Sequence, residues 1–91
     1  MATAGIQYKI MPEGLDVDLE KLEEEAKAKV ESFESGVFSD SKEEPIAFGL
    51  KALIITMALS EDEESDDVEK AISEIEGISS VELIDYRRVV G

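Results

Sequence analysis

Two hydrophobic repeat lengths alternate along this chain, and their order restricts the possible folds more than any other feature of the sequence. Between Gly5 and Met11 every second residue is apolar, with Ile6, Tyr8 and Ile10 on one face. Such alternation in β-branched and aromatic residues predicts a strand. A turn containing proline and glycine follows, so the strand is expected to end there.

The next segment repeats with the period of a helix. Asp18 is a candidate N-cap residue, because its carboxylate can accept hydrogen bonds from the first unpaired N–H groups of a helix. Gly36 is expected to end this segment. The apolar stripe that predicts the helix contains Leu19, Leu22, Ala26, Val30 and Phe33.

Two further strands are predicted in the middle of the chain. Val37 to Glu44 contains few apolar residues and is closed by Pro45, which is typical of a strand at a sheet edge. Leu50 to Leu59 is apolar on both faces, which favours a central position in the sheet.

A second helix follows an acidic stretch. Asp66 and Glu69 have the spacing of a capping box, and Gly77 is expected to end the helix. We therefore predict that Asp66 is the N-cap residue. The second apolar stripe contains Val68, Ala71, Ile72 and Ile75.

A last alternating segment makes the predicted order strand, helix, strand, strand, helix, strand. Right-handed crossovers in this order place both helices on one face of a four-stranded antiparallel sheet, the ferredoxin-like α/β plait of the α+β class. With 91 residues, we expect one domain over residues 1–91. On the last strand, Val81, Leu83 and Asp85 are predicted to face one way and Glu82, Ile84 and Tyr86 the other. The predicted core contains Ile6, Tyr8, Ile10, Leu22, Ala26, Val30, Leu53, Ile55, Met57, Val68, Ile72, Ile75, Val81 and Leu83.

The charge of the chain restricts its partners. There are 23 acidic and 9 basic residues, a net charge of −14, and the isoelectric point is near 4.1. Direct binding of nucleic acid is excluded, because it requires clustered lysine and arginine. Docking on an anionic membrane is excluded for the same reason. We therefore predict protein partners that present a basic face.

Composition also excludes much of enzyme chemistry. Cysteine and histidine are both absent, so we expect no disulfide, no metal site, no cofactor and no histidine acid–base catalysis. The absence of cysteine, together with the lack of a leader-like apolar stretch, favours a cytoplasmic protein. The acidic run from Glu61 to Asp67 is interpreted as a solvated loop.

Other uses of the same fold can be tested against the sequence. A metal-carrying plait needs a pair of thiolates, and an RNA-binding plait needs aromatic residues and a basic sheet. An acylphosphatase needs an arginine in an anion-binding loop after the first strand, where this chain has Pro12 to Asp16 with two acids. None of these classes fits, and no enzyme active site is predicted.

The connection from Glu43 to Leu50 is unusually hydrophobic for a loop between an edge strand and a central strand. Pro45 stiffens it, and Gly49 permits a sharp turn directly after Phe48. Phe48 has two interpretations: it folds back to fill the core, or it stays exposed as an anchor for a partner. The flanking proline and glycine favour the anchor, because they would hold an exposed loop rigid.

Arg87 and Arg88 are the only arginines in the chain, and they lie close to its C-terminus. They are either two solvated charges at the end of a strand or a cationic tip on an otherwise anionic protein.

Five blocks of the sequence follow one another in a recognisable order: Met11-Pro12, Val17 to Leu19, Glu43 to Leu50, Glu76-Gly77 and Asp85 to Arg88. Together they resemble the archaeal elongation factor 1-beta family. The resemblance extends over essentially the whole chain, and Glu44 to Leu50 is its most specific part. It implies an α/β plait that acts as a guanine-nucleotide exchange factor for elongation factor 1-alpha, the GTPase that delivers aminoacyl-tRNA. Such a factor makes and breaks no covalent bond, so it is not an enzyme in the usual sense.

The resemblance also implies roles for individual residues. Phe48 corresponds to the aromatic residue that enters an apolar pocket on the second domain of the GTPase, and Pro45, Ile46 and Gly49 belong to the same block. Arg88, with Arg87 beside it, lies where eukaryotic members carry a lysine that approaches the magnesium and phosphate site. Arginine is a planar, larger donor than lysine, so this position departs from that pattern.

A different class of function stays open at this point. Ile54 and Ile84 are predicted to lie on the sheet face without helices, where exposed apolar residues favour contacts with other molecules. The alternative is therefore a small ligand-sensing or oligomerising plait module without exchange activity.

Overall fold

The computed structural model describes residues 3–89 and contains the six predicted elements in the predicted order. The elements are β1 (Thr3–Pro12), α1 (Leu19–Glu31), β2 (Val37–Pro45), β3 (Lys51–Ser60), α2 (Ser65–Ser73) and β4 (Ile78–Val89). The sheet order is β2-β3-β1-β4, and every neighbouring pair of strands is antiparallel. The segment with few apolar residues forms edge strand β2, and the segment that is apolar on both faces forms central strand β3, both as predicted.

One hydrophobic core lies between the helices and the sheet, as a ferredoxin-like plait requires. Both helices and one set of alternating strand residues contribute to it. Every predicted core residue is buried except Val81, which is partly buried, and Leu83, which is exposed. The prediction for Leu83 was wrong: it pairs with the buried Tyr8, but it lies on edge strand β4, where 42% of its surface stays exposed.

The sheet face without helices is less apolar than predicted. Ile84 is exposed there, but Ile54 has only 2% of its surface exposed. Ile54 lies in register between Lys9 and Lys42, whose long side chains share its face and can cover it with their aliphatic parts. Ile54 therefore lies on the predicted face of the sheet but does not expose an apolar surface there.

The first helix begins as predicted. The carboxylate of Asp18 accepts hydrogen bonds from the backbone N–H groups of Glu20 at 3.0 Å and Lys21 at 3.4 Å. The helix ends at Glu31, one turn before Gly36. Asp18 therefore caps helix α1 both by its position and by the hydrogen bonds that its side chain accepts.

The predicted capping box of the second helix was wrong. Helix α2 begins at Ser65 with Glu64 at the N-cap position, and no side-chain hydrogen bond caps it, so Asp66 lies inside the first turn. The acids of that turn still stabilise the helix through its dipole. The helix ends at Ser73, and Gly77, with φ 96°, forms the turn into β4.

A β-bulge in β4 changes which side chains face the helices. Gln7 pairs with Asp85, but Tyr8 pairs with Leu83, so Ile84 is an extra residue in the strand. The insertion reverses the alternation beyond it. Asp85 therefore faces away from the helices, and the prediction that it shares a face with Leu83 was wrong.

The same bulge orients the C-terminal part of β4. Beyond it, Tyr86 pairs with Ile6 and Arg88 pairs with Ala4, both of which face the core. Tyr86 and Arg88 therefore lie on the helix side of the sheet. Arg87 pairs with Gly5 and lies on the opposite face.

Candidate functional site

The residues singled out from the sequence lie at opposite ends of the sheet. The β2–β3 loop, with Phe48, is at the end where β1 finishes, and Arg88 is at the end where β1 begins. The strand β3 that joins these ends has 10 residues, which corresponds to about 30 Å at roughly 3.3 Å per residue. The fold therefore separates the two groups and does not bring them into one pocket.

Phe48 lies at the tip of the β2–β3 loop and is 96% exposed. The backbone N–H of Leu50 donates to the carbonyl of Ala47 at 2.9 Å, which closes a four-residue turn. Its two central residues, Phe48 and Gly49, have φ of 53° and 82°. Two positive φ values in succession are typical of a type I′ hairpin turn. Phe48 is therefore not a core residue in this fold.

The turn places an aromatic residue where the backbone disfavours one. Left-handed conformation costs an L-residue roughly 1–2 kcal/mol, and asparagine, aspartate or glycine usually occupies this position. Phe48 is the one residue other than glycine with positive φ in the described range 3–89. Because its side chain is exposed, packing within the free protein does not offset this cost. Such strain is found where a residue serves binding.

A second loop contributes to this end of the molecule. Leu15, between β1 and α1, is 69% exposed, and a Cβ atom placed on Gly49 would lie 3.4 Å from Cδ2 of Leu15. The two loops are therefore in contact. Ile46 is also exposed, and its N–H donates to the carbonyl of Leu50 at 2.9 Å. We refer to Leu15, Ile46 and Phe48 together as the apolar tip.

Sequence reasoning missed Leu15, although it left a signal. Leu15 is a large apolar residue in a turn that is otherwise polar or built from proline and glycine. Only the tertiary structure places that turn beside the β2–β3 loop. Pro45 ends β2 opposite Lys51, where a proline is tolerated because the strand is at the edge.

At the other end of the sheet, the two arginines have different environments. The side chain of Arg87 is largely exposed on the open face, and its Nε lies 3.1 Å from Oδ2 of Asp85 on the same strand. Arg88 lies on the helix side and forms an ion pair through its Nε with Oε1 of Glu61. The side chain of Arg88 is nevertheless 70% exposed.

The loop that carries Glu61 is tied to the rest of the fold. The N–H of Ser35 donates to Glu63 at 2.8 Å, and the N–H of Ser60 donates to Oγ of Ser35 at 3.0 Å. The Ser35 hydroxyl also donates to Glu63, and these two hydrogen bonds from Ser35 hold the pKa of the Glu63 carboxyl below its usual range. This part of the acidic run is therefore ordered.

Other kinds of site have no support within residues 3–89. No group of three or more acidic side chains there is arranged to hold a metal ion. No helix in this range has the length and apolar character needed to cross a membrane.

The sequence matches known proteins over nearly its whole length. Residues 5–89 match the EF-1 guanine nucleotide exchange domain. Elongation factor 1-beta of Methanocorpusculum labreanum is 45% identical over 91 residues, covering 99% of this chain and 100% of that protein. The proteins of the same name from Methanosarcina barkeri and Aeropyrum pernix are both 37% identical, covering 98% of this chain and 100% and 99% of their own lengths.

Proposed function

Because this chain belongs to the family of EF-1 guanine nucleotide exchange domains, we propose that it accelerates GDP release from elongation factor 1-alpha and so permits reloading with GTP. The observation that carries the proposal is the exposed, conformationally strained Phe48. A large aromatic side chain that contributes nothing to the core is suited to fill a pocket on a partner. Buried aromatic anchors of this kind dominate the energy of many protein interfaces.

The two ends of the sheet have complementary roles in this proposal. The apolar tip anchors the factor on one domain of the GTPase, and Arg88, about 30 Å away along the strand β3, approaches the metal and phosphate site of another. Two such contacts fix the orientation of the factor on its partner. Pro45 and Gly49 support the anchor because they limit the entropy lost when the loop docks.

Exchange requires that the factor bind the nucleotide-free GTPase more tightly than the nucleotide-bound form, since only differential affinity shifts a binding equilibrium. A guanidinium that competes for the phosphates supplies such a difference. A thousandfold faster release corresponds to about 4 kcal/mol of barrier. No acid, base, nucleophile or bound cofactor is needed, so the protein acts as a binding catalyst and not as an enzyme of covalent chemistry.

The net charge of −14 fits a protein partner with a basic face. Complementary charge accelerates encounter between proteins and disfavours direct contact with nucleic acid phosphates. A role in translation elongation places the protein in the cytoplasm.

The proposal is tested by measuring release of a fluorescent GDP analogue from the cognate elongation factor 1-alpha with and without this protein. Arg88→Glu is expected to slow the catalysed release by about tenfold or more, equivalent to about 1.4 kcal/mol. The variant also removes the counterion of Glu61, so its melting temperature is expected to fall, and the release rates are compared at a temperature where both proteins are folded. Arg87→Glu is the matched control, with the same charge change one residue away. Absence of any acceleration by the unmodified chain would contradict the proposed function, and a larger effect at Arg87 would assign the role to that residue.

A further inference from the structure

Glu61 is the first residue after β3, and its contact with Arg88 lies at the end of the sheet assigned to nucleotide exchange. Arg88 pairs in register with Ala4, and Ala4 pairs with Leu59, so only a small side chain separates the two strands at this level. This leaves room for the side chains of Glu61 and Arg88 to meet above the sheet.

The contact differs from an ordinary surface ion pair. Exposed pairs contribute little, because both charges remain solvated. Here Oε1 of Glu61 is shielded from solvent and accepts no hydrogen bond within the described residues, so its charge is balanced only by the guanidinium of Arg88 beside it. Burying a carboxylate oxygen that receives no hydrogen bond from water or from another donor costs free energy. The guanidinium of Arg88 is therefore the group that compensates Glu61.

The backbone on both sides of Glu61 is held in place. Ser60 donates its N–H to the Ser35 hydroxyl at 3.0 Å, and Glu63 accepts the N–H of Ser35 at 2.8 Å. The N–H of Glu63 also donates to the carbonyl of Ser60 at 3.0 Å. Glu61 therefore sits in a short segment tied to the connection between α1 and β2, and it presents its carboxylate from a defined position.

The atom through which Arg88 is held determines what the rest of its side chain can do. A guanidinium has five N–H donors, one on Nε and four on its terminal amino groups. Glu61 engages Nε, and the side chain as a whole remains largely exposed. The terminal amino groups are thus available to phosphate oxygens while the guanidinium is held from the side. A lysine has one ammonium group, so the same carboxylate would hold the very atom that must reach the partner.

We propose that Glu61 is a positioning residue for Arg88, which orients its terminal amino groups toward the nucleotide site of the GTPase. The inference rests on the proposed exchange function and adds a residue to it. Positioning of this kind reduces the conformational freedom that Arg88 would lose on docking. It also explains how an arginine can serve at a position where a lysine would be impaired by the neighbouring Glu61.

The first test compares two charge-neutralising variants in the same loop. Glu61→Gln is expected to lower the rate of GDP release at saturating factor by about fivefold, with little change in the factor concentration that gives half the maximal rate. Asp62→Asn removes the same charge one residue away and is expected to leave both quantities within about twofold. Equal rates for Glu61→Gln and the unmodified chain would overturn the inference. Faster release would overturn it as well, because Glu61 would then restrain Arg88 unproductively.

The second test uses the difference between arginine and lysine. In an Arg88→Lys background, Glu61→Gln is expected to increase the rate, because it frees the ammonium group, whereas with Arg88 present it decreases the rate. A merely structural role for Glu61 would lower the rate in both backgrounds. A decrease of the same size in both would therefore overturn the positioning role.

The ion pair has a readout that does not depend on the GTPase. The chain has two arginines, so a nitrogen–proton spectrum contains two Nε–H signals, and Arg87 is the internal reference. The Arg88 signal is expected to exchange with water more slowly than in Glu61→Gln, with the Arg87 signal unchanged. Identical exchange in the two proteins would overturn the pairing itself.

If the unmodified chain does not accelerate GDP release, the proposed function fails and the inference fails with it. An active chain with an equally active Glu61→Gln variant overturns the inference alone.

Discussion

Tyr8 and Phe48 are both large aromatic residues, yet they contribute to opposite properties of the molecule. Tyr8 is buried at the centre of the sheet, and its hydroxyl donates to the carbonyl of Ser65 at 2.9 Å. Phe48 is almost fully exposed, in a backbone conformation that disfavours it. Burial of Tyr8 stabilises the fold, whereas the positive φ of Phe48 costs stability, and we propose that its exposed side chain serves recognition. On this proposal, stability and partner binding occupy separate regions of the molecule and can be changed independently.

The largest effect is expected in the core region. Leu22 is buried on helix α1, and Leu22→Ala is expected to lower the free energy of unfolding by about 2–5 kcal/mol by leaving a cavity. Partner affinity of the remaining folded molecules should not change, because Leu22 is buried and contributes nothing to the exposed surface of the apolar tip. The shift of the midpoint in urea denaturation measures the stability change. A loss below about 0.5 kcal/mol would contradict the separation of the two regions, since Leu22 would then not support the fold.

The buried aromatic residue should make stability depend on pH in the alkaline range. Burial, followed by the negative charge of Glu69, raises the pKa of Tyr8 to about 12. The folded state therefore keeps Tyr8 neutral above pH 10, where the unfolded chain ionises it, so its stabilising contribution is complete below pH 10 and is lost as pH rises from 10 to 12. The expected loss is about 2–3 kcal/mol.

Lysine side chains also titrate in this pH range, so the variant Tyr8→Phe is used to separate the contribution of Tyr8 to the pH dependence of stability from theirs. The variant is expected to lose about 1 kcal/mol at neutral pH with its hydrogen bond. Its stability should decline less than that of the unmodified chain between pH 10 and pH 12, as measured by denaturant titration at each pH. Parallel declines would show that Tyr8 is not protected in the folded state.

The core region could be predicted almost completely from the sequence, because its signals are local and repeated. Tyr8 and Leu22 follow from the period of their elements, and Asp18 follows from the chemistry of a helix N-terminus. The failures lie where tertiary structure overrides a local pattern. The bulge at Ile84 has no sequence signal, yet it reverses the faces of the residues after it. Leu83 is exposed on β4 at the edge of the sheet, and periodicity does not give the order of the strands.

The apolar tip and the opposite end of the sheet, which carries Arg88, were predictable only in part. The sequence left Phe48 with two interpretations, and the distinguishing property is the exposure of its side chain, which depends on how the β2–β3 turn is oriented. Leu15 and Glu61 each contact residues far away in the chain, so no spacing rule identifies them. Glu61 was also hidden in an acidic run, where one ordered carboxylate cannot be recognised among solvated ones.

The exposed aromatic residue should show the reverse of the core behaviour. Phe48→Ala is expected to weaken binding to nucleotide-free elongation factor 1-alpha by about 2 kcal/mol or more, roughly thirtyfold. Its stability should be nearly unchanged, because an exposed side chain loses no packing. Calorimetric titration measures the affinity, and thermal denaturation measures the stability.

Val37→Ala is the matched control for this experiment. Val37 is also an exposed apolar residue, but it pairs with Ala58 at the end of the sheet away from the apolar tip, and it lies on edge strand β2, at the opposite edge from β4 with Arg88. It should therefore leave affinity for the GTPase unchanged. A Phe48→Ala protein that is strongly destabilised, or one that is stable and binds at full strength, would remove the distinction between the two aromatic residues.

The smallest expected effect is the most specific, because one substitution should change stability and binding in opposite directions. Asparagine adopts positive φ more readily than phenylalanine, so Phe48→Asn is expected to raise the free energy of unfolding by about 0.5–1 kcal/mol while it weakens partner binding as Phe48→Ala does. Val37→Asn is the control, because it introduces the same side chain at an exposed strand position without relieving positive φ, and it should be neutral or slightly destabilising. The denaturation midpoint should rise for Phe48→Asn with an unchanged denaturant slope, since the surface exposed on unfolding is nearly the same. A fall in stability would mean that Phe48 makes stabilising contacts in the free protein, and the tip would then belong to the fold as well as to the interface.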